Sequence, residues 1–232
     1  MSFEKLRSLL ERVSVGPFYR LVEHYESFLY SDAFMIQRLT GAVPPIEDDD
    51  ADETFATGCH FFAQVVRDHG GRLPEEPTPQ DRDGFARAAF LWERAADMDH
   101  VEAQHHLAGC YYYGYGVARN VATAREWMHR AVMQRHLPAL YAFGEMVLDN
   151  HPTSHQEAMA YRLWHIAAER HHYAPALHNY AVALAHGNIP GQDADEPRAL
   201  VYILDAARQG YTPSVRCVDA LRSGDEGATD EG

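Results

Sequence analysis

Lysine is almost missing from this chain: Lys5 stands alone against nineteen arginines in 232 residues. Surface ion pairing therefore rests on planar guanidinium forks rather than on point charges. Basic residues are also outnumbered, and no basic patch exists to release counterions from a phosphate backbone, which excludes a nucleic-acid-binding protein. Cysteine is scarce. Cys59, Cys110 and Cys217 are an odd number without CxxC spacing, which argues against a disulfide framework and a structural zinc site and points to the reducing cytoplasm. No stretch approaches the ~18 apolar residues that would cross a bilayer, so no membrane insertion is expected. The opening MSFEKLRSLLERVSVGPFYR lacks a separate basic region, apolar core and small-residue cleavage site, and no secretory signal is expected from it.

Motifs for chemistry are equally thin. Gly114-Tyr115-Gly116-Val117 is too short for a phosphate loop and follows no strand. The fifteen histidines include the neighbours His105-His106 and His171-His172, which on a helix diverge by ~100° and cannot share one ion. No HExxH is present, and Cys59-His60 adjacency does not set a thiolate against a base. Neither a metal, a cofactor nor a catalytic residue is expected. A hydrolase built on His and Glu side chains is the distant alternative.

What is present is acid and repetition. The net charge is −14, and ten of the acids lie in two blocks, six in residues 47–53 and four in residues 225–232. Such blocks self-repel and stay solvated. The sequence therefore divides into a helical cap at 1–46, an acidic loop or linker at 47–56, a helical array at 57–224 and a disordered acidic tail at 225–232.

The array rests on internal self-similarity. Ala103, Ala139, Ala176 and Ser214 coincide when the chain is laid beneath itself, at spacings of 36, 37 and 38. Leu91, Trp127, Trp164 and Tyr202 coincide at the same spacings. Length varies only around Tyr115-Gly116, His151-Pro152-Thr153 and Ile189-Pro190-Gly191, which carry turn residues. Within each unit a first helix shows one apolar face (Ala103, Leu107, Ala108 and Tyr111). A second helix starts after Asn120, Ser154 or Asp195. One hairpin cannot bury its own apolar face, so stacking makes the core. Residues 59–70 read as the first helix of an earlier unit with a lengthened loop at 71–83.

The stretch 103–132 resembles a Sel1-like repeat, a relative of the tetratricopeptide repeat. Ala103, Leu107, Tyr111, Gly114, Gly116, Val117, Ala124, Trp127 and Ala131 carry the resemblance. Asn120 stands where the family has Asp, and Ala108 where it has Gly. The resemblance covers roughly 84–224 and implies an all-α fold, a right-handed α/α solenoid of stacked hairpins. It also implies a platform for binding another protein rather than an enzyme.

A helical wheel places the face opposite the core two, six and nine residues after each Ala anchor, flanked by the tenth. The resulting candidates for a concave partner-binding surface are His105, Gly109, Tyr112, Tyr113, Tyr141, Glu145, Asp149, His178, His186 and Arg216. Rigid tyrosines and a bidentate arginine suit a peptide or a partner's loop. A short array suits one dedicated partner. One specific form is an immunity or antitoxin protein occluding a bacterial toxin, with the acids of 47–53 steering a basic effector surface. A signalling or assembly adaptor is the alternative.

Overall fold

The computed structural model describes residues 50–149 and 152–223. The cap expected over 1–46 and the tail at 225–232 lie outside the described residues. Among the described residues all regular structure is helical: α1 (Ala51–Asp68), α2 (Pro79–Asp97), α3 (Val101–Tyr113), α4 (Val121–Met133), α5 (Leu137–Leu148), α6 (Ser154–His171), α7 (Ala174–His186), α8 (Glu196–Arg208) and α9 (Thr212–Ser223). Contacts divide the described chain into two compact units, residues 50–139 and residues 140–223. In the first, α1 packs on α2, α2 on α3 and α3 on α4; in the second, α6 packs on α7, α7 on α8 and α8 on α9.

Most helix starts follow from capping. The Asn120 side chain accepts from the backbone N–H groups of Ala122 and Thr123, and that of Asp195 accepts from Arg198 N–H. Each satisfies a donor that the first turn leaves without an intrahelical partner. Pro138, Pro175 and Pro213 sit near the starts of α5, α7 and α9, where a missing N–H costs little. Thr153, rather than Ser154, caps α6, in a reciprocal box with Gln156.

Two sequence expectations need correction. The acidic linker at 47–56 ends early, because α1 begins at Ala51. Asp50 accepts from the N–H groups of Asp52 and Glu53, and those two acids occupy the first turn. Carboxylates there face the positive end of the helix dipole, so acids that repel one another in a coil become a helix start. Likewise the loop expected at 71–83 stops at Thr78, which forms a capping box with Asp81, and Pro79 opens α2. Hydrogen bonds from the Thr78 hydroxyl and backbone N–H hold the Asp81 carboxyl below its ordinary range.

The two cores follow the repeat register. Ala103, Ala139, Ala176 and Ser214 are fully buried, small enough for neighbouring helices to approach closely. In the first unit Trp92 is fully buried among Phe55, Phe62, Phe85 and Leu107. Its indole N–H donates to the Phe55 carbonyl at 3.3 Å, and the ring lies over Gly58, where a Cβ would come within 2.7 Å of it. In the second unit Trp164 repeats this arrangement, donating to the Tyr141 carbonyl at 3.0 Å over Gly144. Phe55 and Gly58 thus match Tyr141 and Gly144, which makes α1 and α2 one further repeat hairpin. The slot in α2 is filled by Trp92, one residue past the Leu91 that the spacing selects. Trp127 has no such slot: Ala108 carries a Cβ where the other two helices have glycine. Its indole stays half-buried, under the Arg130 guanidinium at 4.3 Å.

Candidate protein-interaction face

The row two residues after each anchor opens to solvent only at its last member, Arg216. His105, Tyr141 and His178 are 7%, 6% and 3% exposed. Each ring meets a ring three residues ahead of the next anchor: His105 meets His136 at 5.3 Å, Tyr141 meets Tyr173 at 5.9 Å and His178 meets Tyr211 at 5.5 Å. The earlier hairpin shows the same pairing, Phe55 stacking on His100 at 4.4 Å. The physical reason is geometric. A helical wheel separates each first helix only from its own hairpin partner. In a stacked array the sideways direction is filled by the turn entering the next first helix. Expectation and structure therefore part at these three residues, which stitch one repeat to the next.

Polar side chains reinforce the stitches. Within the 140–223 unit the Tyr141 hydroxyl donates to Glu145 Oε1 at 2.9 Å. Asn179 Nδ2 donates to both Tyr141 OH and Glu145 Oε1, at 3.0 and 3.1 Å. His178 Nδ1 and Ser214 Oγ are 2.8 Å apart. Helices α5, α7 and α9 are thereby tied side by side. Within the 50–139 unit, Gln104 Nε2 donates to Asp99 Oδ1 at 3.0 Å while its Oε1 accepts from Gln134 Nε2 at 3.1 Å. Asn179, Gln104 and the ring row His100, His136, Tyr173 and Tyr211 were not singled out from the sequence. For the ring row, the common offset of three residues ahead of each anchor was the available signal.

The remaining candidates spread between core and surface. Gly109 and Tyr112 are buried, and Tyr113 is half-buried against Tyr112 and Tyr115. Arg119 covers the Tyr112 ring and donates from Nε to its carbonyl at 2.9 Å. Glu145 and His186 are half-buried, with His186 Nδ1 on the Val182 carbonyl at 2.8 Å. Asp149 and Arg216 are exposed. The stripes Tyr141-Glu145-Asp149, along α5 to the residue just past it, and His178-Val182-His186 on α7 each run at i, i+4, i+8, from a buried stitch toward solvent.

Cys59, Cys110 and Cys217 are free and buried. Burial pushes the Cys59 and Cys110 thiols far up and that of Cys217 to about 12, well away from thiolate reactivity at neutral pH. Among the described residues no three His, Cys, Asp or Glu side chains gather to hold a metal. Between α6 and α8, Tyr202 donates to Glu169, and Arg198 reaches both at 2.9–3.0 Å. Hydrogen bonds from Tyr202 and Arg198 lower the Glu169 carboxyl, and burial raises the Tyr202 phenol to about 12. This is a clamp between helices, not an acid–base pair poised near neutrality.

Hairpins of this length and register define a short helical-repeat protein. Three of its stretches are Sel1 repeats, residues 76–100, 101–136 and 174–211. A Sel1 repeat protein from Oxalobacter formigenes superimposes with a TM-score of 0.57 at 20% identity, over 88% of this chain and 74% of that one. A protective antigen present in uropathogenic Escherichia coli strains, with an SLR fold, gives 0.53 at 19% identity, over 88% and 41%. Both likenesses establish the fold. Chitin synthase regulatory factor 2 of Schizosaccharomyces pombe is 30% identical over 104 residues, 42% of this chain. The match spans only 20% of that relative's length. No described helix is long and apolar enough to cross a membrane.

Proposed function

We propose that this chain is a non-catalytic protein-interaction module, and that its partner contacts Asp149, His186 and Arg216 on the 140–223 unit. One observation carries the reading. The hydrogen-bonded ladder Tyr141–Glu145–Asn179, with His178–Ser214 beside it, ties three first helices into a single layer. Arg216 and His186 sit on these tied helices and Asp149 directly after one of them, and such preorganisation lowers the entropic cost of binding. Support also comes from the repeat type, since Sel1 repeat proteins generally mediate protein–protein interaction, and the S. pombe relative is named as a regulatory factor. The finer form, occlusion of a basic toxin, draws on the acids of 47–53. Of these, Asp50, Asp52 and Glu53 are engaged at the start of α1.

The test compares the wild type with the double variant Asp149→Arg, Arg216→Glu. The partner is captured from the source cells on the wild type, identified and titrated against both proteins. Affinity should fall by roughly tenfold or more, the range for rim and hot-spot charges, with helical content and urea unfolding unchanged. Equal affinity for the folded variant sinks the assignment. Association slowed steeply by added salt supports a basic partner, and a flat salt profile removes the toxin form.

A further inference from the structure

The position three residues ahead of each anchor is His100, His136, Tyr173 and Tyr211 along the chain. Tyrosine there is inert at physiological pH, whereas imidazole is not. The geometry points to His136 as an acid-sensitive latch: protonation of this ring loosens the seam between α3 and the turn 134–136, while the Tyr141–Tyr173 seam, which carries no imidazole, holds.

His136 lies in a tight turn. Its N–H donates to the Ala131 carbonyl at 3.2 Å, and Arg135 beside it adopts a positive φ of 62°. The imidazole packs tilted against the buried His105 ring at 5.3 Å, and that ring in turn meets His106 at 5.3 Å. Its Nδ1 is shielded from solvent and has no hydrogen-bond partner. In the neutral tautomer protonated on Nε2 that atom is a lone pair, cheap to leave idle. Acid turns it into a charged N–H with no acceptor, and an unpaired buried donor is costly. The charged and titratable groups facing it are His105 and Glu102 on α3 and His100 just before α3. Burial lowers the affinity of His136 for a proton, His100 lowers it further, and Glu102 opposes both. Glu102 is half-buried; His100 Nδ1 accepts from the Ala103 N–H at 3.1 Å and its Nε2 lies 3.3 Å from Asp52.

The sign follows directly. His136 ionises below its ordinary value of 6.5 in the folded chain, so the opened form binds the proton more readily. The seam has full strength above that ordinary value. It weakens as pH falls beneath it and levels off once the folded-state value is passed.

The experiment exploits the repeat. His136→Tyr installs the side chain found at Tyr173 and Tyr211. Native-state hydrogen exchange, corrected for intrinsic rates, is followed in α3 and the 134–139 turn between about pH 7.5 and pH 5 in both proteins. In the wild type, opening should rise by up to about tenfold per pH unit inside the window, one proton's worth; in His136→Tyr that rise should vanish. Equal pH dependence in both proteins overturns the latch. A direct NMR titration of the His136 ring in the wild type covers the case where the variant folds poorly. A midpoint below 6.5 supports the proposal, and one at or above 6.5 refutes it.

Discussion

Trp92→Ala is expected to destabilise the 50–139 unit by about 3–5 kcal/mol, the range for removing a buried large aromatic. The indole is fully buried, packs against Phe62 at 5.4 Å and His106 at 4.9 Å, and donates to the Phe55 carbonyl. Truncation leaves a void between α1 and α2 that their backbones cannot close. Trp127→Ala should cost markedly less, because its ring is already half in water. Gly58 makes the claim sharper. A methyl added there meets the indole at 2.7 Å, so Gly58→Ala alone should cost about 1–3 kcal/mol from overpacking. In the Trp92→Ala background the same change enters an empty slot and restores helix propensity worth about 1 kcal/mol. The two substitutions should therefore be strongly non-additive. Urea unfolding of the four proteins, followed by far-ultraviolet circular dichroism, decides it. Strict additivity would show that ring and glycine do not share one site.

The Trp slot also shows what a spacing argument can read. The period, the hairpin and the buried anchors Ala103, Ala139, Ala176 and Ser214 were legible because each recurs at a fixed offset. Leu91 and Trp92 are neighbours, and offset alone cannot say which one enters the slot over Gly58. Packing decides it, through an indole that reaches a backbone carbonyl. The acids at 50–53 failed for a different reason. Composition reports their mutual repulsion, whereas one of them at an N-cap and two in a first turn are each stabilised by the helix they start. Of the ten candidate face residues, Asp149 and Arg216 are the two that lie exposed. His105, Tyr141 and His178 lie where a single helix would meet water, and only the next repeat, three residues ahead of its own anchor, explains their burial.

Gly116→Ala should be comparably severe, at about 3–4 kcal/mol, since it combines backbone strain with a main-chain clash. The loop leaving α3 turns at Gly114, in the left-handed region at φ 85°, and again at Gly116, at φ 72°. Between them Tyr115 folds back onto Phe85 at 5.2 Å and Phe62 at 6.2 Å, and its burial raises the phenol to about 12. That inward turn drives Gly116 against the backbone of α2, where a Cβ would overlap the Phe85 carbonyl. Phe85 is 2% exposed and fixed in the core, so α2 cannot retreat. Gly71→Ala separates the two contributions. Gly71 also has a positive φ, 85°, but a methyl added there would meet nothing within 4 Å, so it should lose only the ~1–2 kcal/mol of left-handed strain. The excess loss in Gly116→Ala then measures the close approach of loop and helix. A lowered urea midpoint, with Tyr115 more accessible to fluorescence quenchers, is the expected result. If the two alanine variants unfold alike, the loop does not press on α2, and the inward packing of Tyr115 has another cause.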